Sequence, residues 1–111
     1  MIETPRVYLL ERDGELLARM PLMEVEEGYL CLFEATPAFD SYRTLFEEEA
    51  FVSSELSDDA PPELIQRGEE LVDQILRLGL VIRAEDGAKT YHRALLTVMG
   101  DQAYFLPLDE P

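Results

Sequence analysis

Three short turns constrain what this chain can fold into more than any other feature. Asp13-Gly14, Asp86-Gly87 and Gly100-Asp101 each lie between two runs rich in apolar residues with polar ones interspersed. Asp and Gly tolerate positive φ, which a tight hairpin turn requires. The pattern predicts hairpins pairing residues 6–12 with 15–20, 80–85 with 88–93, and 94–99 with 102–106. A two-residue first turn would pair Val7 with Met20, Leu9 with Ala18 and Glu11 with Leu16. That puts one nearly apolar face towards a core. Pro21 has no amide donor and is expected to end the second strand. A third strand is expected over residues 29–35, after Gly28.

Between the strand blocks the period changes. Thr36-Pro37 reads as a hydroxyl cap followed by proline in the first helical turn. Phe39, Tyr42, Leu45, Phe46 and Ala50 then recur at helical spacing. A linker is expected over residues 52–60. The clearest helix runs over residues 61–78, where Leu64, Ile65, Gly68, Leu71, Val72, Ile75 and Leu76 form one apolar stripe. Gly79 is placed as its left-handed C-terminal cap. The order β-β-β-α-α-β-β-β predicts an α+β domain over residues 1–106. Its antiparallel sheet carries two helices packed on one face. Residues 107–111 are expected to fray.

A chain of 111 residues suits one domain with one core. Its single cysteine, Cys31, cannot form an internal disulfide. It lies in the apolar run Tyr29-Leu30-Cys31-Leu32-Phe33, which suits a small buried thiol in a reducing cytoplasm. No apolar run approaches the ~18 residues of a membrane span, and no signal peptide is visible at the N-terminus.

Charge supplies the functional expectation. The formal net charge is -15, and residues 24–60 hold eleven acids against one base, Arg43. Such a field repels nucleic acid and anionic membrane and attracts a basic surface. A search for chemistry finds little to set against it. One Cys and one His cannot build a zinc site. Glu47-Glu48-Glu49 and Asp58-Asp59 are contiguous rather than spaced as calcium ligands. The six glycines form no phosphate loop. No catalytic residue, cofactor or metal is therefore expected.

The sequence points to a small non-enzymatic module that binds a basic protein surface through residues 40–59. Glu47, Glu48, Glu49, Phe51, Glu55, Leu56, Asp58 and Asp59 are the candidate contacts, with Phe51 and Leu56 as apolar anchors ringed by charge. A second reading is an inhibitor or immunity-type protein that imitates nucleic acid. A third is a ligand binder or enzyme with a site near His92, drawing on Tyr91, Arg93 and Arg43. A homodimer through an unpaired sheet edge is a further expectation.

Overall fold

The structure, a computed structural model, describes residues 6–109. Eight antiparallel strands and two helices form it. The strands are β1 (Val7–Arg12), β2 (Glu15–Val25), β3 (Tyr29–Leu32), β4 (Glu34–Ala35), β5 (Val81–Ala84), β6 (Thr90–Tyr91), β7 (Ala94–Met99) and β8 (Gln102–Pro107). Between β4 and β5 come a 3-10 turn (Pro37–Ser41) and the helices α1 (Arg43–Glu55) and α2 (Pro62–Arg77). The sheet order is β6-β5-β1-β2-β3-β8-β7, with β4 on β2. The α+β class is thus as expected. Four strands rather than three stand on either side of the helices.

The first hairpin forms at Asp13-Gly14, with φ of 52° and 82° as its tight turn demands. Its register corrects the expected one. Glu11 pairs with Leu16 as predicted, but Leu10 pairs with Ala18, so Leu17 is an extra residue in β2. This bulge shifts every later pair by one. Tyr8 and Leu10 therefore share the core with Ala18 and Met20, and all four are fully buried. Val7 and Leu9, expected inside, lie half-buried on the other face.

The bulge is held from outside. The Thr36 hydroxyl donates to the carbonyls of Leu16 and Leu17 at 2.7 and 3.1 Å. It was expected to cap the first helix and makes no cap bond there. Pro21 does not end β2. The Leu22 amide donates to Arg6 across β1, so the Pro21 nitrogen faces the opposite side. There the ladder is already interrupted between β3 and β4 at Phe33, whose own amide donates to Asp101. A missing donor costs nothing at such a gap.

Aromatic packing shows how far the sheet curls. Tyr8 on β1 meets Phe105 on β8 edge to face at 5.2 Å between centroids, although β2 and β3 separate them in the sheet. Tyr91 on the terminal strand β6 lies 6.2 Å from the same ring. His92-Arg93 joins β6 directly to β7 at the opposite end of the strand order. The inner face forms one core, completed by Phe39, Phe46 and Ile75 from the helical segment.

Both helices pack on β7, and α1 also packs on α2. α2 keeps its expected stripe, with Gly68, Leu71 and Ile75 buried, and Gly79 beyond its end takes φ of +73°. α1 runs four residues into the expected linker, through Glu55, with Val52 buried against its neighbours. Arg12 ties the first hairpin to this layer. Its Nε donates to the Leu78 carbonyl at 2.7 Å and its guanidinium to the Tyr42 hydroxyl at 2.8 Å. A cation on the last carbonyls of α2 also complements the helix dipole. Of the expected tail, the Leu108 amide donates to Arg93, and the Asp109 carboxylate accepts from the His92 amide. Residues 110 and 111 lie outside the described residues.

Candidate functional site

The triplet Glu47-Glu48-Glu49 falls in the middle of α1, where successive residues turn by about 100°. Three neighbours therefore cannot share a face. Glu47 is exposed. Glu48 reaches α2 and pairs with Arg67 at 2.7 Å, and Arg67 also contacts Glu70 at 3.3 Å. Glu49 turns inward, between Phe46 and Val52, and is 3% exposed.

Glu49 is the buried polar side chain of the core layer among the described residues. Its Oε2 accepts a hydrogen bond from the Ser53 hydroxyl one turn on, at 2.5 Å. Its Oε1 has no partner. A buried acceptor without a partner is costly and rare in folded proteins. Glu49 also lines a hollow of about 240 Å³ between α1, α2 and the free edge of β7. The rest of that wall is largely hydrocarbon from Val72 and Leu76 on α2 and Leu95 and Leu106 on the sheet. Leu95 and Leu106 alternate along their strands with the core residues Leu96 and Phe105, so they belong to the outer face.

A second hollow, about 430 Å³, continues over the α1–α2 seam along Leu56, Ile65 and Gly68. It shares Val72 and Leu76 with the first, so the two make one groove. The helices approach closely enough there that a Cβ on Gly68 would stand 3.5 Å from both Val52 and Leu56 side chains. Leu56 and Ile65 remain 40% and 43% exposed along it. Glu49, Glu69 and Asp73 line the groove, and no lysine or arginine does.

The structure therefore divides the sequence candidates. It brings Glu49 and Leu56 to one groove. Phe51, 63% exposed, points away from it, two residues and some 200° round the helix from Glu49. Glu55, Asp58 and Asp59 are exposed at the end of α1 and in the connection to α2. Ser53, Val72, Leu76, Leu95 and Leu106 were not among the candidates. Two signals point to them. Glu49 sits at three-residue spacing between Phe46 and Val52, on the apolar stripe of α1. The stripe on α2 carries paired positions, Leu71-Val72 and Ile75-Leu76, and is wider than one neighbour covers.

The alternative residues gather no comparable space. Tyr91 is part of the core, while His92 and Arg93 are exposed beside a hollow of about 10 Å³, the size of one water. Arg43 pairs with Asp40 at 3.1 Å and covers the Phe39 ring. Burial pushes the Cys31 thiol up to about 12, far from the range of a reactive thiolate. Among the described residues no three His, Cys, Asp or Glu side chains converge as metal ligands, and no helix is long and apolar enough to cross a membrane. No protein-family model, curated protein or solved structure matches the chain.

Proposed function

We propose that this protein is a non-catalytic binding module whose α1–α2–β7 groove receives an apolar segment of a basic protein. One observation carries the reading: an unbroken apolar floor through Val72 and Leu76, walled by three acids and by no base. Apolar anchors supply affinity in such a groove, and surrounding charge speeds encounter and rejects acidic competitors. The net charge of -15 adds a long-range attraction for the same partner. The acidic candidates Glu47, Glu55, Asp58 and Asp59 become steering charges around the groove rather than the contact surface itself.

The test is affinity capture from extracts of the native host, at salt of about 0.05 M and about 0.5 M, where the screening length falls from above 10 Å to a few ångströms. Wild-type protein and the double variant Leu56→Glu/Ile65→Glu serve as baits. A protein retained by the wild type at low salt, released at high salt and not retained by the variant is the expected result. Nothing retained by the wild type refutes the reading. Equal retention by the variant places the contact elsewhere and refutes the groove.

A further inference from the structure

The outer face of the sheet changes character from one half to the other. Across β1, β2 and β5 it is ion-paired: Arg83 meets Glu11 at 2.9 Å, and Arg19 reaches Glu34 at 3.3 Å and Glu85 at 3.6 Å. Across β3, β8 and β7 it carries no charge. Cys31, Ala103, Phe105, Leu96 and Val98 belong to the core, so the residues that alternate with them point outward. The register sets these outer residues in rows. Leu32, Gln102 and Met99 lie side by side, with Leu30, Tyr104 and Thr97 in the next row. Leu106 and Leu95 make a third. None is an acid or a base, in a chain of which 30% is charged. Outward positions of a sheet with one solvated face are normally polar. Here Leu32, Leu95 and Met99 are 38%, 36% and 49% exposed on one patch. Contiguous exposed apolar surface of this kind marks an interaction site.

We propose that the β3–β8–β7 face is the contact between two copies of this chain. Charge selects that occupant. Each copy carries a net charge of -15, so two copies repel wherever their acids meet, and avoid that cost only on a face without acids. A basic partner finds no carboxylate in these rows to pair with. The rows are also self-complementary, as a two-fold contact requires. An axis along β8 sets each row against itself reversed. Leu32 then meets Met99 of the second copy, and Gln102 meets Gln102, whose amide both donates and accepts.

Three strands about 4.8 Å apart, six residues long at about 3.3 Å each along β7 and β8, give a footprint of roughly 300 Å². A stable complex buries about 800 Å² per partner, so the dimer is a weak one, with a Kd on the order of 0.1 mM. The face meets the deeper hollow along Leu95, Thr97, Tyr104 and Leu106, but neither Leu32 nor Met99 lines the groove. The two contacts can therefore be broken separately.

Analytical ultracentrifugation of the wild type from about 0.02 mM to about 1 mM brackets that Kd. Runs at salt of about 0.05 M and about 0.5 M should show a monomer–dimer equilibrium that tightens several-fold at the higher salt, where repulsion between the copies is screened. Docking of a basic protein responds to salt in the opposite direction. Leu32→Glu/Met99→Glu should stay monomeric throughout, and Leu56→Glu/Ile65→Glu should dimerise as the wild type does. On dilution of the ¹⁵N-labelled wild type, amide shifts should centre on Leu30, Leu32, Met99 and Gln102. A wild type that is monomeric at about 1 mM in the higher salt overturns the contact. So does a dimer that loosens with salt, one that the groove variant abolishes, or one that Leu32→Glu/Met99→Glu leaves intact. Dilution shifts centred on the helices or on β6 overturn it even if that variant does not fold.

Discussion

Gly28 and Gly68 are both buried, and the same substitution should act on them in opposite directions. A Cβ on Gly28 would stand 2.5 Å from the Tyr104 hydroxyl and 2.7 Å from the Phe105 carbonyl. That carbonyl belongs to β8, which β3 pairs beside Gly28, so it cannot retreat without disturbing the ladder. On Gly68 the new methyl would meet Val52 and Leu56 at 3.5 Å, an ordinary contact, in the middle of a helix. Gly28→Ala should therefore cost about 1–3 kcal/mol by overpacking. Gly68→Ala should add about 0.5–1 kcal/mol through helix propensity. Calorimetry should find the first variant melting several degrees below the wild type and the second a few degrees above it. A Gly68→Ala that melts lower would mean that α1 and α2 lie closer than 3.5 Å contacts imply. Gly28 precedes a strand, as the sequence suggests, but its need for space depends on Tyr104, seventy-six residues away. No local pattern reveals that.

Between elements, the pair Glu11–Arg83 clamps β1 to β5. Arg83 donates from Nε and a terminal nitrogen to the two oxygens of Glu11, at 3.1 and 2.9 Å. The hydrogen bonds from Arg83 hold the Glu11 carboxyl below its ordinary value, against a smaller opposing effect of burial. A depressed folded value means that the pair stabilises the fold above the unfolded value of about 4.3 and loses that contribution as pH falls through the folded one. Wild-type protein should melt above Glu11→Gln at pH 7, and the gap should close as the pH drops below about 4. A gap that persists there would assign the effect to shape rather than charge. Elements were legible where local chemistry decides them. Asp13-Gly14 and Gly79 take the positive φ their turns require, and the stripe of α2 fixes that helix to within a residue at each end. They were illegible where a distant group decides. The Leu17 bulge exchanges the inner and outer residues of β1, and Thr36 stabilises it from twenty residues away. Pro21 continues a strand because its neighbour is interrupted at Phe33.

At the scale of the molecule, charge and contact surface separate. The sequence places its negative charge in residues 24–60, and these carboxylates set the field around the protein. The proposed contact surface is the groove, and only Glu49 and Leu56 of the sequence candidates line it. Apart from Ser53, the rest of the groove comes from α2 and from strands much later in the chain, which only the curl of the sheet brings to α1. The direct test is selection of a displayed random-peptide library, at about 0.15 M salt where the screening length is about 8 Å, on three immobilised proteins: wild type, Leu76→Glu in the groove, and Glu47→Gln/Asp58→Asn/Asp59→Asn on the exposed acids. The wild type should enrich peptides that set a lysine or arginine beside apolar anchors. The triple variant should enrich the same pattern with slower association and a weaker salt dependence, and Leu76→Glu should enrich none. The same pattern selected on Leu76→Glu, or its loss on the triple variant alone, would mean that the acidic surface and not the groove is the binding site.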